Sequence, residues 1–255
     1  MKNIALYKDI LDNYDSMAAV IIKDMDAIKK EYGRKRRTAI ENAEEAVYEE
    51  KKMEEMEVCF LMDRFGYMKL IDKNAYERNK EAVHNENKYV FNCMNTDKIC
   101  IFTDTGKMHT IKAVDIPLGR FRDKGTPVDN LSNYDSSQER MLYVAPVGQL
   151  RSDRLLFVTK TSMCKLVEGA EFDVAKRTIA STKLADEDEL IFIGSASEME
   201  QIVLQSHGGC FLRFLTQEVS TMKKTALGVR GMKLEDDDYL EHAYLLGGHQ
   251  EYAIS

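Results

Sequence analysis

Four times between residues 58 and 214 the chain follows one local plan: an apolar run, a short polar turn, a second apolar run. Residues 58–62 and 67–71 flank Asp63-Arg64-Phe65-Gly66. Residues 99–103 and 107–111 flank Asp104-Thr105-Gly106. Residues 155–158 and 163–167 flank Thr159-Lys160-Thr161-Ser162. Residues 202–204 and 210–214 flank Ser206-His207-Gly208-Gly209. Short β-prone runs around such turns read as β-hairpins. With Gly66, Gly106, Ser162 and Gly209 aligned, the residue two further on is Met68, Met108, Cys164 or Phe211. Five further on it is Ile71, Ile111, Val167 or Phe214, so both positions are apolar in every copy. The copies are offset by 40, 56 and 47 residues, in or near the spacing of propeller blades. One hairpin cannot bury its own apolar face, so such units stack on one another. Residues 249–255 read as the first strand of a fifth copy.

The second half of each copy carries the charge. Arg120, Arg122 and Lys124 follow hairpin two. Lys176, Arg177 and Lys183 follow hairpin three, and Lys223, Lys224, Arg230 and Lys233 follow hairpin four. From Gly125, Thr178 and Gly228 a leucine lies six residues on, at Leu131, Leu184 and Leu234. The glycine permits a positive φ or a close backbone approach. The leucine anchors the segment in the core. The cations must face water, because an unpaired buried Lys or Arg is costly. Repeated on successive units, this predicts a band of cations around one rim; ordinary solvated turns are the competing reading. A net charge of −7 argues against indiscriminate polyanion binding but leaves room for a local basic face.

Ahead of the repeats, residues 1–54 form a separate helical segment, and residues 55–255 form the β domain. Ile4, Tyr7 and Leu11, then Met17, Val20, Ile21, Met25, Ile28 and Tyr32, recur at helical spacing. Asp12-Asn13-Tyr14-Asp15-Ser16 interrupts the pattern, and Ser16 or Asp15 is the expected cap of a second helix. Gly33 followed by Arg34-Lys35-Arg36-Arg37 reads as a helix C-terminus with cations at the negative end of the dipole, or as a basic nucleic-acid patch. Residues 41–57 are charge-dense, a frayed helix or linker.

Catalytic chemistry is missing from this pattern. The five cysteines (Cys59, Cys93, Cys100, Cys164, Cys210) form no C-x-x-C pair and sit in or beside apolar runs, as buried thiols of a reducing cytoplasm do. The five histidines show no metal spacing. Glu235-Asp236-Asp237-Asp238 lacks the alternation of a calcium loop and reads as a solvated turn. No P-loop or GxGxxG is present. No apolar run approaches the roughly 20 residues of a membrane span, and the start is too polar for a signal peptide. The expectation is therefore no catalytic residue, no metal and no cofactor in this chain, and no membrane.

The repeat resembles the C-terminal β-pinwheel of the A subunit of bacterial type IIA DNA topoisomerases, gyrase and topoisomerase IV. Asp104-Thr105-Gly106-Lys107, Ile116-Pro117, Lys124-Gly125-Thr126-Pro127-Val128 and Leu227-Gly228-Val229-Arg230-Gly231-Met232-Lys233-Leu234 look like its typical positions. Leu227 stands where the family often has Arg, and Thr178 where the other copies have Gly. Ile28-Lys29-Lys30-Glu31-Tyr32-Gly33 and Arg36-Arg37-Thr38 resemble the helical segment that leaves the family's breakage–reunion core. The resemblance implies a mainly β fold, a partial, propeller-like β-pinwheel of four to five blades preceded by an α-helical segment. It implies a DNA-binding role for the ten cations named above, with duplex DNA as partner. It further implies a cytoplasmic, nucleoid-associated parent that is an ATP-dependent isomerase. There the ATPase B subunit completes a heterotetramer with the rest of the A subunit, while ATP and Mg are used on other domains. The family's nucleophilic tyrosine has no counterpart here; Tyr14 and Tyr32 read as helix-face residues. Gyrase A subunits carry a Gly-rich basic box after the first hairpin. Here that place, residues 76–87, holds no glycine and three acids. The resemblance is therefore closer to topoisomerase IV, which decatenates and relaxes. The alternatives are a gyrase A wrapping domain with a degenerate box, and a propeller-like scaffold that binds protein.

Overall fold

The computed structural model describes residues 2–35, 37–38 and 54–247. The chain divides into two compact units, Met1–Lys52 and Met53–Ser255. Residues 39–53 and the fifth-copy strand at 249–255 lie outside the described residues.

The first unit is a pair of helices, α1 (Lys2–Asp12) and α2 (Tyr14–Tyr32). The expected cap at Ser16 or Asp15 is not the one used. Asn13 alone leaves the helical path, and its side-chain oxygen accepts the Asp15 N–H at 3.0 Å. Asp15 then sits in the first turn, and Lys29 and Lys30 in the last, where the helix dipole favours each charge. The helix ends at Gly33, as expected, with the Gly33 N–H on the Lys29 carbonyl at 2.9 Å. The apolar faces stay uncovered: Ile4, Leu11, Ile21, Met25 and Ile28 are all more than half exposed.

In the second unit each repeat folds in the same order. The first is β1 (Glu57–Asp63) and β2 (Tyr67–Asp72), two short helices α3 (Lys73–Arg78) and α4 (Lys80–Glu86), and β3 (Asn87–Met94). The second is β4 (Lys98–Thr103), β5 (Lys107–Lys112), β6 (Thr126–Pro127), the single turn α5 (Val128–Leu131), β7 (Met141–Pro146) and α6 (Val147–Leu150). The third is β8 (Arg154–Thr159), β9 (Met163–Glu168), β10 (Thr178–Ala180) and β11 (Leu190–Ser195). The fourth is β12 (Gln201–Ser206), β13 (Phe211–Leu215), β14 (Val229–Arg230) and β15 (Leu240–Leu246).

The sheets do not coincide with the repeats. Their strand orders are β3-β1-β2-β6, β10-β5-β4-β7, β11-β8-β9-β14 and β13-β12-β15, all antiparallel. Each of the first three blades takes one edge strand from the following repeat. These crossing strands, β6, β10 and β14, are two or three residues long. They lie on β2, β5 and β9, the second hairpin strands of the blades before them.

The turn alignment holds in the backbone. Gly66, Gly106, Ser162 and Gly209 have φ of 82°, 73°, 70° and 83°. Ser162 therefore occupies a left-handed slot that glycine fills elsewhere, which costs a side-chain-bearing residue energy. Its hydroxyl accepts the Met232 N–H at 2.7 Å, and its carbonyl accepts the Gly231 N–H at 2.7 Å. Both bonds tie the third hairpin to the segment crossing from the fourth repeat.

Adjoining sheets face one another across three apolar layers. Phe60, Met62 and Met68 meet Ile99 and Ile101 between blades one and two. Phe102, Phe157 and Phe172 fill the space between blades two and three, with Phe102 edge-on to Phe172 at 5.0 Å. Leu156, Val158 and Leu166 meet Ile202 and Leu204 between three and four. With no tryptophan in the chain, these phenylalanines supply the largest apolar burial, about 1.5–3 kcal/mol each. The far face of blade one, with Cys59, Leu61 and Ile71, is covered by Val83 of α4. The fourth copy departs from the expected pattern: Phe211 is 52% exposed and Cys210 is exposed rather than buried. Among the described residues no crossing strand covers β13, so the position that is core in three copies is open in this one.

Candidate nucleic-acid interface

The register of the crossing strands shows where the cations stand. Thr126 pairs with Met68, Ile179 with Met108 and Val229 with Cys164. Met68, Met108 and Cys164 are each two residues past their turn, so Thr126, Ile179 and Val229 are equivalent, as are the residues before them, Gly125, Thr178 and Gly228. The leucines six further on, Leu131, Leu184 and Leu234, pack on the three successive inter-blade cores. The ten cations are thus placed on three equivalent crossing segments. Arg120, Arg122 and Lys124 precede β6. Lys176 and Arg177 precede β10, with Lys183 after it. Lys223 and Lys224 precede β14, Arg230 lies in it, and Lys233 follows.

Nine of the ten side chains are exposed and Lys224 is half-buried. Lys223 is within 3.4 Å of Glu171, and Lys224 donates to the Glu171 carbonyl at 3.0 Å. The other eight make no ion pair among the described residues. Lys124 lies over the Tyr67 ring, 4.2 Å from its centre. Successive segments touch: the Lys183 N–H donates to the Lys224 carbonyl at 3.1 Å.

Gly125 and Gly228 have φ of 83° and 107°. A Cβ on Gly125 would stand 2.5 Å from the Met68 carbonyl oxygen, and one on Gly228 would stand 2.7 Å from that of Cys164. The chain dives against the preceding blade at these two points, and only glycine fits. In the middle segment Thr178 takes the place, and its hydroxyl is 3.1 Å from His109 Nδ1.

The segments are also held from beneath, by residues the sequence pattern did not single out. Three residues past the left-handed turn residue stand Lys69, His109, Lys165 and Leu212. Lys69 and Lys165 are only 9% and 1% exposed. The Lys69 ammonium donates to the carbonyls of Phe121 and Asp123. The Lys165 ammonium donates to those of Lys224, at 2.9 Å, and Ala226, at 2.6 Å. In blade two His109 is engaged elsewhere: its Nε2 is 3.1 Å from Glu139, a buried carboxylate that also accepts the hydroxyls of Thr103 and Thr105. Burial would raise the Glu139 pKa, but those hydroxyls and the His109 ring outweigh it and hold it below the usual range. Lys98, at the start of β4, then donates to the Val174 carbonyl at 3.1 Å. Burial lowers the Lys69 pKa against the pull of Asp123, Glu86 and Asp63, and lowers that of Lys165 to about 8 against Glu171. The signal in the sequence was a polar residue in mid-strand between apolar neighbours.

Residues 76–87, the place of the family's basic box, are mostly helical. They fall in α3, α4 and the start of β3. Asp72 caps α3 by accepting the Ala75 N–H at 2.8 Å, and the backbone amides that a loop would present are largely spent within the helices.

Four stacked antiparallel sheets, three of them completed by an edge strand from the next repeat, define a propeller-type β domain. The sequence model of the family described as "DNA gyrase C-terminal domain, beta-propeller" matches residues 97–136, 153–197 and 200–246, which are repeats two, three and four. These segments make up just over half of the chain, and the chain belongs to that family. Among curated proteins, the chain is 30% identical over 242 residues to the DNA gyrase A protein of Clostridium acetobutylicum, covering 91% of this chain and 29% of the relative. It is 24% identical over 261 residues to that of Ureaplasma parvum, covering 97% and 31%. The chain thus spans less than a third of the length of these relatives. Among solved structures, the C-terminal domain of DNA topoisomerase IV superimposes with a TM-score of 0.67 at 22% identity, over 77% of this chain and 63% of the other. The E. coli ParC C-terminal domain gives 0.60 at 14% identity, over 75% and 80%. At these identities the likeness is one of fold.

Proposed function

We propose that this chain holds duplex DNA on its crossing segments and presents it to the cleavage core of a type IIA topoisomerase, through phosphate contacts rather than base readout. One observation carries the reading: exposed cations recur on the equivalent crossing segments of three successive blades, though at differing positions along them. Acids gather at the other end of the same segments. Asp188 bonds the turn at Thr161, and Asp238 the turn at Gly208. A net charge of −7 is therefore compatible with a local basic face.

Within that reading the chain serves ATP-dependent decatenation and relaxation, as topoisomerase IV does. The support is the pair of short helices at residues 73–86, which hold three acids and no glycine where a glycine-rich basic loop would stand. A second reading, a gyrase A wrapping domain, is favoured by the curated relatives, which are gyrase A proteins. A supercoiling assay on the reconstituted holoenzyme separates the two. In either case the uncovered apolar faces of α1 and α2 would meet the rest of the parent chain, and ATP and Mg would act on other domains.

The test is a duplex titration at two salt concentrations. Wild type should bind and lose at least about tenfold in affinity between roughly 50 and 200 mM salt. Arg122→Glu, Arg177→Glu and Arg230→Glu together, one per segment and none ion-paired, should abolish binding at moderate salt and leave the circular dichroism spectrum intact. Unchanged affinity in the triple variant removes the crossing segments as the contact surface, and no duplex binding by wild type removes the nucleic-acid reading and leaves a protein-binding scaffold.

A further inference from the structure

We propose that Lys69, Lys98 and Lys165 are positioning residues that set the basic crossing segments for phosphate contact without touching the nucleic acid. The inference rests on the DNA-binding reading above.

The three lysines share an acceptor rather than a place in the sequence. Counting back four residues from Gly125, Thr178 and Gly228 gives Phe121, Val174 and Lys224. The carbonyl of each accepts a lysine ammonium, from Lys69, Lys98 and Lys165 respectively. Lys69 and Lys165 reach a second carbonyl two residues on, at Asp123 and Ala226. In blade two the strand position holds His109, which is committed to Glu139 and Thr178, and the ammonium comes from the neighbouring strand instead. The donor has moved while the acceptor has stayed. In blade four the same strand position is Leu212, and among the described residues no segment crosses there.

The physical consequence is orientation. A carbonyl turned toward a phosphate repels it, and a mobile loop would present its carbonyls and side chains at random. An ammonium beneath the loop draws the carbonyls inward. Arg120, Arg122 and Lys124 on one segment, and the Lys223–Arg230 stretch on another, are left on the outer side. Lys69 and Lys165 are too buried to meet a phosphate themselves.

This gives a signature that neither a direct contact nor a general loss of stability reproduces. Each neutralised phosphate contributes about 0.9 to the slope of log K against log salt. A cation that touches DNA takes about one such unit with it when removed. A destabilised fold lowers the active fraction and leaves the slope alone. A lost positioning residue misplaces a whole segment.

The experiment compares Lys69→Met, Lys165→Met and the double variant with wild type in the 255-residue chain, using a short linear mixed-sequence duplex titrated across salt. The double variant should lose at least about tenfold in affinity, and its slope should fall by about two units or more. Hydrogen exchange should quicken at residues 119–125 and 222–228 while the hairpin amides stay protected. A slope that is unchanged, or that falls by only about one, overturns the proposal. Should the double variant not fold, Lys98→Met, on a side chain 36% exposed, supplies the same comparison for the middle segment. No duplex binding by wild type removes both this inference and the function it rests on. Normal binding by wild type and variants alike removes this inference alone.

Discussion

Lys165 puts a charge in the middle of a strand whose neighbours Cys164 and Leu166 are core residues. Its surroundings are two carbonyls, the carboxylate of Glu171, and the Phe157 ring 5.7 Å away. Burial costs the ammonium more than these contacts return, so its folded pKa is about 8 against 10.5 for a free lysine. Below pH 8 both states hold the proton and the cost is constant. Between about 8 and 10.5 the unfolded chain keeps a proton that the folded one has released, so stability from this group rises with pH. The stability of wild type relative to Lys165→Met should therefore shift in wild type's favour by about 1–3 kcal/mol between pH 8 and 10. Denaturant melts at several pH values check the sign. Lys165 was legible as a misfit within an apolar strand. Its purpose was not, because its acceptors lie 59 and 61 residues further along the chain.

The crossing strand is the element on which the blades depend, and it is very short. β6 and β14 are two residues each, kept against the preceding hairpin by the close approach at Gly125 and Gly228. Gly125→Ala or Gly228→Ala combines a positive φ with a Cβ under 3 Å from a carbonyl oxygen. Each should cost about 1–3 kcal/mol, read as a lower denaturant midpoint at unchanged slope. Thr178→Gly is the control. Thr178 is not among the positive-φ residues, so the change loosens the unfolded chain and drops the hydroxyl's contacts with His109 and Asn133, at about 1 kcal/mol. The hairpins were legible because alternation and turn chemistry are local. The crossing strands were not, since two residues carry no period and their partners belong to the previous repeat. The helices α3 and α4 carried a readable signal, with Asp72 as cap and no Gly or Pro across residues 73–86.

At the scale of the whole domain the repeats are interdependent. Removing the fourth repeat takes β14 from blade three and uncovers Leu156, Val158, Cys164 and Leu166, all at most 1% exposed. A chain ended after Ala196 should therefore lose blade three as well as blade four and go over to insoluble or aggregated material. Size-exclusion chromatography and circular dichroism check this; a soluble, folded product with an intact third blade would show that the blades are independent. The charge follows the same geometry, with cations where a segment crosses and acids at the turns it then reaches.

The amino-acid sequence alone determined the hairpins, their offsets, the left-handed turn position that Ser162 shares with three glycines, and the cations on each connecting segment. These are matters of local period, turn chemistry and solvation, which neighbours in the chain settle between themselves. Only the tertiary structure decided that each blade is finished by the next repeat, that helices cover the far side of blade one, and that buried lysines fasten the crossing segments. The crossing strands and the buried lysines depend on pairings 50 or more residues apart, and the helical cover on side chains 12 to 24 residues away, where the partner is chosen by the packing of whole sheets.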